Sequence, residues 1–303
     1  MAGIGFFGRL KIGFGMARRS GRVLKAHPKL LVFPLIGGVA GIAFVATLFG
    51  GLFLTGSVFE NPGPAVYVAL FVAYLVETFI ASFFTAGLVA ATRTAFVGEE
   101  PSIRAALAAA WKRKRQLVAW SLVAATVGVL IRLIQSEESI GAQIIAGLFA
   151  VAWGLMTYFV VPVIVFRDPS LRGMFTESAS TFKETWGESL GAMGAIDLVT
   201  LLLVALGVVL GIITLVVTAS LGAVGLLATV LIGGTAVLTG LLVGKALSGV
   251  AKTALYVYAT DGTAPEHFED MDFSRLTGDD SSSSTSGLRD RIGGSSRGPG
   301  GRI

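Results

Sequence analysis

Six apolar runs, at roughly 30–56, 65–91, 117–134, 140–166, 190–220 and 221–244, constrain this chain more than any other feature. A helix needs about 20 residues to cross the hydrocarbon core of a bilayer, and each run reaches or approaches that length. Lipid offers the backbone no water to bond, and the runs are far too long for strands, so helices are the expected form. The expected fold class is therefore all-α: a polytopic membrane helix bundle of six transmembrane helices. Composition agrees, with 53% hydrophobic residues, 14% charged residues and a mean hydropathy of +0.77. A soluble domain carries about a quarter of its residues charged. The last two runs are separated only by residues 218–222, which predicts a tight helical hairpin.

The basic residues are distributed almost entirely to one side of this topology. Of 24 Lys and Arg, twenty lie in residues 1–29, in the connections after spans two and four, or beyond residue 258. The other three connections, 57–64, 135–139 and 218–222, hold no Lys or Arg and carry Glu60, Glu137 and Glu138. The positive-inside rule then predicts a multi-pass protein of the cytoplasmic membrane with both termini in the cytoplasm. The basic residues Arg18, Arg22, Lys25, Lys112, Arg113, Lys114 and Arg115 are the expected anchors to an anionic inner leaflet. Nucleic acid is not an expected partner, because the basic residues sit beside spans and no binding motif accompanies them. The N-terminal segment is not expected to be a signal peptide: its first apolar run begins only at Leu30 and is too long for an h-region.

Three segments before pairs of spans show amphipathic helical spacing. They are 6–29 (Phe7, Leu10, Phe14, Ala17, Leu24), 101–116 (Ile103, Leu107, Trp111) and 169–190 (Leu171, Phe175, Ala179, Phe182, Trp186, Leu190). Each is expected to lie in the membrane interface on the cytoplasmic side. The strings Pro101-Ser102-Ile103-Arg104 and Pro169-Ser170-Leu171-Arg172 match and open two of these segments. Asp168 and Pro169 suit an N-cap and a first helical position. The chain thus divides into a basic amphipathic segment at 1–29, a membrane domain at 30–258 built from three parallel helix–span–span units, and a tail at 259–303. The tail turns acidic, then Ser-rich, then Gly/Arg-rich, a composition expected to stay disordered.

Ionisable residues within spans are candidates for function, because their cost in lipid must be met by a partner or a water path. Glu77 falls near the middle of span two and Asp197 about two turns into span five, with Lys245 at similar depth. Arg132 lies within a turn of the outer end of span three and can snorkel toward Glu137 or Glu138. Arg93 and Lys245 at cytoplasmic span ends, and Lys252 beyond one, read as anchors. The pairs Gly37/Gly41, Gly207/Gly211 and Gly240/Gly244 carry the small-xxx-small spacing of close helix packing. Pro34 and Pro162 read as ordinary kinks.

Several chemistries are excluded or discounted. The chain has no cysteine, and both histidines, His27 and His267, fall outside the apolar runs, so neither a metal nor another cofactor is expected. Gly3-x-Gly5-x-x-Gly8 matches a dinucleotide fingerprint only as a string, with no preceding strand. The run from Gly240 to Lys245 lacks the phosphate-loop spacing, and Ser180-x-x-Lys183 lacks the other parts of a serine acylase. Asn61 precedes Pro62 and is no glycosylation acceptor.

Five strings, at 20–34, 109–132, 151–166, 181–188 and 254–265, together resemble an uncharacterised bacterial and archaeal family of six-span membrane proteins over about residues 18–268. More distantly, the layout is similar to membrane domains attached to some glycerophosphodiesterases, whose catalytic residues are absent here. The resemblance implies an integral membrane protein and brings no activity. The expected function is a non-enzymatic membrane interaction or scaffold protein with a protein partner or a second copy of itself. The alternative is a transporter or channel for a small or lipid-like solute, with Glu77 as a pathway acid. An intramembrane enzyme is the weakest reading, since it needs polar groups converging at one depth.

Overall fold

The computed structural model describes residues 6–54, 64–136 and 139–269. Ten α-helices occur there: α1 (Phe6–Ala26), α2 (Val32–Leu54), α3 (Pro64–Phe96), α4 (Ile103–Lys112), α5 (Lys114–Gln135), α6 (Ile140–Met156), α7 (Val160–Arg167), α8 (Leu171–Glu184), α9 (Trp186–Val217) and α10 (Ala223–Asp261). Short 3-10 turns precede α2 and join α9 to α10. Six helical stretches are long and apolar enough to cross a membrane: 28–51, 68–96, 114–135, 140–167, 189–217 and 223–261. The order of helix, span, span therefore recurs three times, with span four divided into α6 and α7. The matched Pro-Ser strings explain two of the helix starts. Ser102 caps α4 by accepting from Ala105 N, and Ser170 caps α8 by accepting from Gly173 N at 3.1 Å. Serine, not the residue before proline, is thus the N-cap, and Asp168 instead ends α7 in the left-handed region at φ 54.

Neighbouring spans run antiparallel and meet through glycines, which let backbones approach where lipid supplies no hydrophobic drive between helices. On α9 and α10, a Cβ on Gly207 would stand 2.6 Å from Val237 N, and Gly211 faces Gly233. Further along the same seam Gly240 lies on Leu203 and Val204, and Gly244 lies on Thr200. Between α2 and α3, Gly37 faces Phe84 and Gly41 faces Glu77. The packed core gathers at one end, where α1, α4 and α8 join the spans; its fully buried members include Leu30, Phe33, Leu117, Phe159, Met174 and Tyr256. This is the basic end, and the opposite one is called here the far end. Toward the far end α9 and α10 expose apolar side chains such as Leu202, Ile212, Leu227 and Leu231.

Three features differ from the expectations above. On α1 the buried face is Gly13, Met16, Ala17, Ser20, Val23 and Leu24, while Phe14 is 40% exposed. Of the expected stripe, Ala17 and Leu24 lie on this face and Phe14 does not, and Phe7 and Leu10 lie outside the described side chains; the face also carries small residues, with Gly13 against the Gly191 carbonyl of α9. Likewise α4 buries Ala106 and Ala110 and leaves Trp111 exposed, and α8 buries Met174, Ser178, Thr181 and Phe182 but ends at Glu184, before Trp186. The last span does not stop at Gly244: α10 runs unbroken to Asp261, and its second half is the most buried part of the bundle. Phe268 is also fully buried, 5.8 Å from the Phe96 ring, so the chain just past residue 258 packs on the bundle. Residues 270–303, on which the disordered-tail expectation falls, lie outside the described residues.

Candidate functional site

Span four is built around a break. A proline inside a helix lacks an N–H and its ring clashes with the carbonyl four residues back, costing about 3 kcal/mol or more. Pro162 sits in the first turn of α7, where the missing N–H is one of the groups a helix start leaves unpaired anyway. The break falls at Thr157–Phe159, just where an unbroken helix would put the opposed carbonyl of Tyr158. Ser178 of α8 closes the opened backbone. Its Oγ accepts from Phe159 N at 3.0 Å and donates to Met156 O at 2.7 Å, and the side chain is fully buried. Irregular backbone at membrane depth is tolerated only where protein satisfies it in this way.

The break also turns Tyr158 toward α10. Its ring packs edge-on against Phe159 and Phe182, and Lys252 Nζ stands 4.3 Å above its centroid. With Gly244 of α10 lying on Thr200 of α9, the antiparallel seam sets Asp197 level with the stretch of α10 between Lys245 and Lys252, within electrostatic reach of Lys252 and Tyr158. Tyr158 is 7% exposed, whereas Asp197 and Lys245 are exposed at the bundle surface. Among the described residues, none of these four groups has a hydrogen-bond partner or an ion pair within 4.0 Å. Asp197 and Lys245 are therefore neighbours of one site rather than a closed pair. Four polar groups, one at the break in span four and the others on α9 and α10, thus gather within about two turns of α10, roughly 10 Å along its axis. In the sequence Asp197 and Lys245 fall at matching depth and Lys252 reads only as an anchor, while nothing points to Tyr158, because their meeting depends on the break and on the continuation of α10.

Glu77 stands apart from this cluster. Its carboxyl lies against Gly41 of α2, where a Cβ would come within 2.9 Å of Oε2, and Oε1 is buried without a hydrogen-bond partner. Arg132 is exposed near the far end of α5, and its expected partners Glu137 and Glu138 lie outside the described residues. Of the expected lipid anchors, Arg18, Arg22, Lys25, Lys112, Lys114 and Arg115 are exposed at the basic end, with Lys114 Nζ 4.6 Å over the Trp111 ring. Arg113 differs: it is ion-paired with Asp168, which also accepts from Gln116, so it ties α4–α5 to the end of α7. A second tie joins Arg167 to Glu177 at 3.3 Å and Glu177 to the Tyr256 hydroxyl at 2.9 Å. A third links Lys29 to Glu100 at 3.0 Å, which holds the Glu100 carboxyl below the usual carboxylate range. Among the described residues there is no group of His, Cys, Asp and Glu that could hold a metal ion.

These features define an all-α, multi-pass membrane protein with a reinforced basic end and a polar cluster beside a broken span. The chain belongs to a family of unknown function (DUF6159), which matches residues 64–266. The match begins at residue 64 rather than near residue 18, so it covers α3 to α10 and both Glu77 and the Tyr158–Lys252 cluster, but not α1 or α2. No curated protein and no solved structure matches, and nothing found supports the likeness to glycerophosphodiesterase-associated domains.

Proposed function

We propose that this chain is a multi-pass protein of the cell membrane, with both termini in the cytoplasm, that acts by interaction and not by chemistry. In this reading the basic end grips the anionic inner leaflet and the spans form a platform for a protein partner or a second copy. The observation that carries the reading is the coincidence, at one end, of the packed core, the inter-helix ties and the exposed cations Arg18, Arg22, Lys25, Lys112, Lys114 and Arg115. Each basic residue near an anionic surface contributes about 1 kcal/mol, so six give an orienting force well above thermal energy. Exposed Trp111 beside these cations has the mixed character suited to the headgroup level. The chain has no cysteine, so single cysteines introduced at Ser102 and Ala219 provide an unambiguous test. An impermeant maleimide applied to intact cells is expected to label the second and spare the first; the reverse pattern overturns the orientation.

The second reading, transport of a small solute, draws on Glu77, whose buried Oε1 has no hydrogen-bond partner where it rests on Gly41. An acid buried in a span needs a partner or a water path, and a path reaching Glu77 would carry a solute past it. In proteoliposomes under an imposed pH gradient, the wild type is expected to move protons and Glu77→Gln to abolish that movement under this reading, whereas under the first reading neither moves protons above protein-free vesicles.

A further inference from the structure

The cluster of Tyr158, Asp197, Lys245 and Lys252 has a charge and a depth that point to a particular ligand. Depth follows from helix rise, at about 1.5 Å per residue. Counted from the far end of α10, Lys245 lies about 33 Å along the helix and Lys252 about 44 Å. Counted from the far end of α9, Asp197 lies about 30 Å along, and Tyr158 is about 27 Å from the start of α6. A hydrocarbon core of about 30 Å puts Tyr158, Asp197 and Lys245 at its boundary with the basic-end leaflet, and the Lys252 side chain, directed back toward the N-terminal end of α10, reaches toward them from the outer edge of the headgroup layer.

Lys245 and Lys252 are seven residues apart, hence on one face of α10. One side of the Lys252 ammonium is taken by the Tyr158 ring, and its remaining donors have no protein partner. The Tyr158 hydroxyl, on a side chain more than nine-tenths buried, is likewise unpartnered. Two ammonium groups and one carboxylate leave a single net positive charge. That balance complements one phosphodiester and disfavours a doubly charged phosphate, since Asp197 repels the second charge. On the far side of Asp197, α9 exposes Leu198, Leu201 and Leu202, and α10 exposes Leu241, an apolar surface for acyl chains leaving a headgroup held at the cluster.

We infer that these residues form a headgroup site for a singly charged anionic phospholipid. Lys252 and Lys245 bind the phosphodiester oxygens, the Tyr158 hydroxyl donates to one of them, and the Asp197 carboxylate admits headgroup hydroxyls as donors. Such a site differs from the diffuse basic surface of α1 and α4: it recognises one lipid, at the break before α7 and the α9–α10 seam, and its contacts to the partly enclosed Lys252 and the buried Tyr158 are screened less by salt than those of exposed cations. It also stands whether the bundle serves as platform or as transporter.

The test uses the purified full chain in detergent, titrated with phosphatidylglycerol or phosphatidylcholine and read by native mass spectrometry. Wild type is expected to hold phosphatidylglycerol at least about tenfold more tightly than phosphatidylcholine, the size of one charge-assisted hydrogen bond. Lys252→Gln is expected to remove that preference and Lys252→Arg to keep most of it, with circular dichroism confirming helix content. Lys245→Gln, at an exposed position, is expected to weaken phosphatidylglycerol about threefold and keeps the test decisive if Lys252→Gln does not fold. Unchanged preference in the Gln variants overturns the site. Displacement of the lipid by inorganic phosphate at low millimolar concentration overturns the lipid assignment in favour of a free-phosphate site.

Discussion

Replacing Ser178 by alanine probes the joint of the molecule most directly. The substitution deletes one oxygen and thereby orphans two buried backbone groups, Phe159 N and Met156 O, now held at 3.0 and 2.7 Å. A buried donor or acceptor left unsatisfied costs about 1–3 kcal/mol, and alanine regains part of this by not having to desolvate a hydroxyl of its own. The expected net loss is about 2–4 kcal/mol. A chain of this size shifts its melting temperature by about 2 °C per kcal/mol, so a drop of about 4–8 °C is expected. The assay is thermal unfolding in detergent followed by tryptophan fluorescence, because Trp153 stacks on Trp120 and meets Phe175 of α8, reporting the α6–α8 seam. A double-mutant cycle with Pro162→Ala sharpens the result. Without the proline the helix can close across Tyr158 and needs Ser178 less, so the two substitutions are expected to couple by about 1 kcal/mol or more. A Ser178→Ala melting temperature within 1 °C of wild type, or strict additivity, would refute the account of the break.

Other outcomes are equally open to measurement. Gly207→Ala, whose Cβ would stand 2.6 Å from Val237 N, is expected to lose about 1–3 kcal/mol by overpacking in the same melting assay. Gly234→Ala on the same helix, with open space around its Cβ, is expected to be neutral or to gain up to about 1 kcal/mol. Asp168→Gly keeps the left-handed turn but frees Arg113 and Gln116, whereas Asp168→Ala also strains the backbone, so alanine is expected to be the more destabilising of the two. Lys29→Met is expected to raise the Glu100 pKa toward its ordinary value, read by NMR titration. Because the carboxyl is depressed in the folded chain, its contribution is present above the ordinary carboxylate pKa and is lost as pH falls through the depressed value.

The legible part of the fold was the part written in hydropathy. The six spans and the α9–α10 hairpin follow from apolar runs, because lipid leaves helices as the only option there. The two Pro-Ser starts were legible as local capping chemistry, though the capping residue was misassigned by two positions before α8. On α1 the pattern found Ala17 and Leu24 but misplaced Phe14, because the inner face also takes Gly13 and Ser20, where close packing selects small residues and the amphipathic rule looks for large ones. Hydropathy falls after Gly244 at Lys245, Ser248 and Lys252, which hid a helix that continues inside protein rather than lipid. The polar cluster was invisible for a related reason. Tyr158, Asp197 and Lys252 lie far apart in sequence, and only the interruption of span four turns the tyrosine to meet the lysine.

The length of α10 has a mechanical consequence. It is one 39-residue rod, held along the far half mainly by α9 and clasped at the other end by every neighbouring element. From Gly240 to its far end it extends about 26 Å, so a tilt of 5° about that glycine sweeps Ala223 by about 2 Å. Bilayers that thin or thicken are met by helix tilt, at a cost of fractions of a kcal/mol per Å. A change in membrane thickness is thus taken up where the rod is free, by the apolar hairpin swinging at the far end, while the clasp keeps Lys252 and Tyr256 in register with their neighbours.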